Sequence, residues 1–197
     1  MSGVPSMAAA MPRQIGIFGG SFNPPHIGHV LACHYALSVW PLDRVIIVPN
    51  FVHAFGKPLE NFEHRYRMCM LAFQSEKIEI SRIEENLGGV SYTVDTLQAI
   101  KKEYPGAVLH LLIGSDVVGE TQKWKNYDRV KELAPPLVIP RGPDAPDAVN
   151  SGVYLPPVSS TWVREQLSSG LAPGSALPHR VLNYIRDREL YLKPAVY

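Results

Sequence analysis

The sequence predicts an α/β fold: a Rossmann-like, doubly wound, mainly parallel sheet with a small C-terminal helical part at about 159–197. Three observations lead there. Short apolar runs bounded by turn residues recur along the chain, segments of helical period alternate with them, and a glycine pair stands where the first apolar run hands over to the first helical segment. At 197 residues, 46% of them hydrophobic and 19% charged, the chain is long and apolar enough to bury one full core and too short for two independent domains. Residues 1–12, small and apolar without a basic flank, read as an unstructured leader, which leaves 13–197 as a single domain.

The elements follow in order. Gln14 to Phe18 is a short buried strand. Pro25 to Trp40 reads as a helix, because Ile27, Val30, Leu31, Tyr35 and Leu37 recur near helical spacing and Pro41 stops it. Arg44 to Val48 is the second strand, and Asn61 suits the N-cap of a helix with Tyr66, Met70 and Phe73 on one face. Lys77 to Ser81 is the third strand. After a Gly88-Gly89 turn, Tyr92 to Tyr104 reads as a helix and Ala107 to Ile113 as a strongly apolar fourth strand ended by Gly114. Tyr127 to Leu133 is a short helix and Pro136 to Ile139 the fifth strand. The run from Pro140 to Gly152, dense in Pro, Gly, Asp and Asn, reads as a mobile loop, followed by a brief strand around Val153 to Leu155. Ser159-Ser160-Thr161 is N-cap material for a helix at Trp162 to Leu167, and a last helix runs from Pro178 to about Arg188.

Charge narrows the function. Lys and Arg total 19 against 18 Asp and Glu, a net charge of +1, so no whole-molecule field exists to hold duplex DNA and any anion site is local. Cys33 and Cys69 fall in apolar helical stretches without a neighbouring cysteine and read as buried reduced thiols. No stretch approaches the roughly 20 apolar residues of a membrane helix, so the expected location is cytoplasmic.

The chemistry concentrates in Gly19-Gly20-Ser21-Phe22-Asn23-Pro24-Pro25-His26-Ile27-Gly28-His29. In an open parallel sheet the first strand-to-helix turn faces the ligand crevice. Glycines let backbone amides approach a phosphate, and a helix N-terminus offers unpaired N–H groups and a partial positive charge. His26 and His29 stand three apart, on one face of the first helical turn, with the small Gly28 leaving room between them. Phosphoryl transfer needs positioned donors rather than a covalent nucleophile, and two imidazoles at a helix end supply them. A Walker A loop would need Gly-Lys-Ser/Thr and a dinucleotide fingerprint Gly-x-Gly-x-x-Gly; neither is present. A zinc site on the two histidines lacks a third ligand at convincing spacing, so no protein-held metal is expected, while a purely structural loop stays open as the bland alternative.

These residues resemble the nucleotidyltransferases with a His-x-Gly-His motif, here His26-Ile27-Gly28-His29, and among them the bacterial nicotinate-mononucleotide adenylyltransferases. The likeness covers nearly the whole chain after Gln14 and extends through Val48-Pro49-Asn50, Ser91-Tyr92-Thr93-Val94-Asp95-Thr96-Leu97, Ile113-Gly114-Ser115-Asp116, Trp124 and Ser159-Ser160-Thr161-Trp162-Val163-Arg164. The resemblance implies transfer of AMP from ATP, with a magnesium ion on its phosphates, to nicotinate mononucleotide, giving the dinucleotide and pyrophosphate in NAD biosynthesis. It implies a catalytic role for His26, His29 and Arg164; ATP contacts from Gly19, Gly20, Ser21, Phe22, Asp116, Ser160 and Thr161; and a mononucleotide pocket of Asn50, Thr93 and Trp124. An indole suits an electron-poor pyridinium ring, because its face attracts positive charge. Each has a plainer alternative: a cap for Asp116 and for Ser160-Thr161, a core aromatic for Trp124, a turn residue for Asn50.

One stretch departs from the pattern. Many bacterial relatives carry Pro-Pro-His-Lys soon after the Pro-Asn pair, whereas this chain has Phe51-Val52-His53-Ala54-Phe55-Gly56-Lys57-Pro58. Lys57 is the expected cation for the triphosphate, ahead of Arg65, and a solvated surface position is the alternative for either. The same loop shapes the acceptor pocket, so nicotinamide mononucleotide remains a second acceptor, with phosphopantetheine or glycerol phosphate further off. Expected partners are therefore ATP and a pyridine mononucleotide, with neither nucleic acid nor membrane. A homo-oligomer is compatible with the sequence.

Overall fold

The computed structural model describes residues 12–143, 145 and 152–192. Among the described residues there are seven strands, β1 (Gln14–Gly20), β2 (Arg44–Pro49), β3 (Val52–His53), β4 (Ile78–Ile80), β5 (Val90–Ser91), β6 (Val108–Gly114) and β7 (Pro136–Ile139). The helices are α1 (Ile27–Val39), α2 (Phe62–Ala72), α3 (Ile83–Leu87), α4 (Thr93–Glu103), α5 (Tyr127–Leu133), α6 (Ser160–Ser168) and α7 (His179–Asp187). Five strands form one sheet in the order β4-β2-β1-β6-β7 with every neighbouring pair parallel, and β3 pairs with β5 in a separate two-stranded ribbon.

Side chains alternate across the sheet as strand geometry demands. Val45 and Ile47 face a core shared with α1, α2, α6 and α7, while Ile15, Ile17, Ile46, Val48, Leu109, Leu111 and Ile113 face one shared with α3, α4 and α5. Helices thus cover both faces, the doubly wound arrangement expected. α4 is anchored by Val94, Leu97 and Ile100, all buried. Burying a residue of that size is worth about 1.5–3 kcal/mol. Strand order reverses between β1 and β6, and the carboxyl ends of those two strands mark the crevice where such sheets bind ligands.

Several expectations change. The glycine pair does not follow the first strand but ends it: Gly19 pairs with Val48 and Gly20 with Pro49, so the turn begins at Ser21. α1 starts at Ile27, not Pro25, because His26 is extended (φ −134°, ψ 173°) and serves as N-cap. Its buried stripe is Gly28, Ala32, Cys33 and Ala36 rather than the larger apolar residues; Leu31 is exposed, since small side chains let the helix lie close to the sheet. On α2 the buried face is Phe62, Arg65, Met68, Cys69 and Ala72, leaving Met70 exposed. Asn61 does cap that helix, accepting from the Glu63 amide at 2.8 Å. Val153 to Leu155 is not a strand; one bridge joins Leu155 to Arg141. Helix α3 and the two-residue strands β3 and β5 had no periodicity long enough to read. The expected leader, save its last residue, and positions 144 and 146–151 of the expected mobile loop lie outside the described residues. Both cysteines are free and buried. Among the described residues, no helix is long and apolar enough to cross a membrane.

Candidate active site

The turn after β1 is held from several directions. Arg65, read as either a second cation for the triphosphate behind Lys57 or a solvated surface residue, is instead fully buried, and donates from Nη1 to the Ser21 carbonyl at 2.9 Å and from Nε to the Glu60 carbonyl at 2.8 Å. Arg164 Nη1 donates to the Asn23 carbonyl at 2.7 Å, and Ser160 Oγ to the Pro24 carbonyl at 2.8 Å. Phe22 has a left-handed backbone (φ 45°) and is buried, its ring edge-on to Phe18 and Phe73.

From that fixed turn the two histidines project together. Their rings stack with centroids 3.7 Å apart, and the Phe22 ring lies 4.9 Å from His29. The His26 amide donates to Nδ1 of His29 at 3.1 Å. A neutral His29 that accepts at Nδ1 carries its proton at Nε2, so it offers an N–H donor. His26 is buried and its Nδ1 has no hydrogen-bond partner, an unsatisfied polar atom of the kind a ligand completes. Burial first, then the nearby Arg141 guanidinium, pulls the His26 imidazole down from 6.5 to about 3. Burial, His26 and Arg141 hold His29 well below its ordinary value. Both rings are therefore neutral donors and acceptors in the free protein.

The crevice has two lobes. One, of about 180 Å³, is lined by Gly19, His26, Gly28, His29, Gly114 and Arg141. The other, of about 320 Å³, is lined by Gly20, Ser21, Asn50, Lys57, Thr93 and Glu84 among others. Gly19, Leu112, Ile113, Val117 and Trp124 line both, so the lobes adjoin at the ends of β1 and β6. Thr93 opens α4, whose first-turn amides have no carbonyl ahead of them within the helix. Trp124 is half-buried, with Tyr127 edge-on at 6.0 Å, and so combines the core role with a place in the cavity wall.

Not every expected residue stands where the sequence suggested. Lys57 belongs to the lobe of Asn50, Thr93 and Trp124 rather than to the histidine lobe. Phe22 buttresses His29 from behind instead of lining a lobe. Ser160, Thr161 and Arg164 also line neither lobe: Ser160 and Arg164 pin the Asn23-Pro24 turn, and Thr161 Oγ1 accepts from Arg164 at 3.3 Å. Asp116 accepts from Arg141 Nη1 at 2.8 Å, and Arg141 Nη2 donates to the Val158 carbonyl at 2.7 Å. A Cβ at Gly114 would collide with Asp116 Oδ1 and come within 2.9 Å of Arg141 Cδ, so any larger residue there would have to displace this ion pair.

Sequence reasoning missed Arg141, although its position just beyond the last strand, on the crevice side of the sheet, was a usable signal. It also missed Glu84, a buried carboxylate that accepts from the Phe51 amide at 3.1 Å and Thr96 Oγ1 at 2.8 Å, tying the loop after β2 to α4. Burial pushes its carboxyl above the usual range against those donors. Among the described residues, no three His, Cys, Asp or Glu stand together as a metal-ligand set.

Comparison with known proteins gives a consistent result. The cytidylyltransferase-like family model matches residues 17–166. A protein of Myxococcus xanthus named "Probable nicotinate-nucleotide adenylyltransferase" is 39% identical over 181 residues, 90% of this chain and 94% of its own. One of the same name from Thermus thermophilus is 35% identical over 185 residues, covering 90% and 99%. The solved Plasmodium falciparum nicotinic acid mononucleotide adenylyltransferase complexed with NaAD shares the fold, with a TM-score of 0.76 over 91% of this chain and 97% of that one, at 19% identity.

Proposed function

The chain belongs to the cytidylyltransferase-like family and, within it, with the nicotinate-nucleotide adenylyltransferases; on that premise we propose that its two-lobed crevice transfers AMP from ATP to nicotinate mononucleotide, giving nicotinate adenine dinucleotide and pyrophosphate for NAD biosynthesis. One observation carries the assignment of lobes: the histidine lobe and the Asn50–Thr93–Trp124 lobe share Gly19 and Trp124, so a triphosphate in one and a mononucleotide in the other meet where β1 ends.

ATP binds with its triphosphate at the N-terminus of α1, where backbone amides, the Nε2–H of His29 and the Arg141 guanidinium supply positive potential. The mononucleotide ring stacks on Trp124, and its carboxylate takes amide donors from the start of α4, with Lys57 and Lys123 adding positive charge to that wall. An oxygen of the mononucleotide phosphate attacks the α-phosphorus of ATP. The bond from that phosphorus to the bridging oxygen breaks, and pyrophosphate leaves with the electron pair. No protein nucleophile takes part; the chain supplies position and preorganised donors to oxygens that gain charge. ATP enters as its magnesium complex. The ion would be held by the triphosphate oxygens and would offset their charge.

The test is incubation with ATP, magnesium and either nicotinate or nicotinamide mononucleotide, following pyrophosphate release and dinucleotide mass. Nicotinate mononucleotide should give the higher kcat/KM, and His29→Ala should lower turnover about 100-fold or more in a folded protein. Better turnover of the nicotinamide compound would overturn the acceptor assignment, and no pyrophosphate from either would overturn the function.

A further inference from the structure

The last described segment reaches back to the phosphate-binding turn. Among the described residues beyond α7, two non-glycine residues stand in the left-handed region, Glu189 at φ 53° and Tyr191 at φ 61°. Glu189 has an ordinary reason: it follows the Arg188 cap, and Leu190 closes the helix end by donating to the Ile185 carbonyl at 3.0 Å. Tyr191 has no such reason, since the helix is already finished and a bulky residue pays a steric penalty for that backbone. What the bend achieves is contact. Tyr191 Oη donates to Asn23 Oδ1 at 2.8 Å across 168 positions of chain.

Asn23 is buried and lies three residues before His26. Its Oδ1 also accepts from the Glu60 amide at 3.3 Å, and its carbonyl accepts from Arg164. The Tyr191 hydroxyl sits in the field of Glu60, Arg65 and Arg164, and burial raises it far above its ordinary value, so it is a permanent donor. The side chain of Asn23 is therefore held by the C-terminal segment together with the Glu60 amide, and its backbone by α6.

We infer that Tyr191 is a positioning residue for the transfer: its hydrogen bond to Asn23 sets where the turn delivers His26 and His29. This rests on the reading that those histidines hold the triphosphate. The phenol touches neither lobe and takes no part in the chemistry.

Tyr191→Phe removes one hydroxyl and leaves Asn23 Oδ1 with its Glu60 partner, so the variant stays folded. The control is Tyr184→Phe, which removes a hydroxyl from α7 that sits 2.9 Å from His64 Nδ1 on α2 rather than on Asn23. Both variants should lower the melting temperature alike, by about 2–4 °C. Tyr191→Phe alone should reduce kcat about tenfold with both KM values within about twofold, and alone should displace the ring carbon–proton NMR signals of His26 and His29. Wild-type kcat in Tyr191→Phe, or ring signals unmoved from wild type, overturns the inference. The spectrum decides it even if the wild-type chain turns over neither mononucleotide, an outcome that would sink the proposed function separately.

Discussion

Gly28→Ala sets local helix preference against the geometry of the histidine pair. Gly28 is the second residue of α1, and an alanine in a helix is favoured over glycine by about 1 kcal/mol. Judged by propensity alone, the substitution stabilises. An added Cβ, however, would lie 3.1 Å from both Cε1 and Nδ1 of His26, where ordinary contact begins near 3.4 Å. His26 has to give by a few tenths of an ångström, and it cannot yield toward His29, whose ring is already stacked at 3.7 Å.

Displacing a catalytic group by about 1 Å can cost on the order of 100-fold, so a shift of a few tenths should cost roughly three- to tenfold in kcat. The helix gain and the steric loss oppose each other in the fold, which should hold the melting temperature within about 4 °C of wild type. Pyrophosphate release and calorimetry on the same preparation measure both. Wild-type kcat at an unchanged melting temperature would mean the His26 ring position does not matter. A fall of more than about 8 °C would mean the fold, not the ring, absorbs the collision.

Two further outcomes follow from the same geometry. Trp124→Ala should raise KM for the mononucleotide at least tenfold more than KM for ATP, because the indole is the proposed stacking surface in the larger lobe; equal effects on both would make Trp124 a core residue only. Stability should fall as pH is lowered from 6.5 toward 5. The unfolded chain takes up a proton at His26 near 6.5 whereas the folded chain holds it off until about 3, so each pH unit in that window removes on the order of 1 kcal/mol through His26 alone. Urea midpoints at pH 7, 6 and 5 read this directly, and a flat series, or one equally steep in His26→Gln, would contradict it.

Much of this site was legible because its signals are local. Gly19, Gly20, His26, Gly28 and His29 fall within eleven residues, and each residue type has a physical reason to be there. The strands that matter were legible for a similar reason: a parallel strand covered on both faces reads as a continuous apolar run, as Val45 to Val48 does. The face of α1 was not, because helix-to-sheet distance selects Ala32, Cys33 and Ala36 over larger neighbours, and hydrophobicity alone ranks them the other way. Arg65 was misplaced for a related reason. An arginine reads as surface until the fold supplies carbonyls for it, and those of Ser21, Phe51 and Glu60 come together only once β1, the loop after β2 and α2 are packed.

Arg141 shows why the charge of such a site is hard to read from a motif. The His-x-Gly-His turn suggests that imidazoles provide the positive charge, yet burial and Arg141 suppress protonation of both rings. In the free protein the fixed cation of the histidine lobe is the guanidinium, oriented by Asp116 Oδ2 and the Val158 carbonyl. His29 contributes a directed dipole through Nε2–H. That division suits a reaction in which charge migrates from an attacking oxygen to a leaving one. A guanidinium lowers the energy of the triphosphate as a whole, bound or reacting, whereas a neutral N–H at fixed angle favours the arrangement in which a particular oxygen has gained charge, and only such differential interactions raise the rate. In the proposed reaction the stacked, unprotonated pair is thus suited to selecting the transition state, and Arg141 to attracting ATP to the lobe.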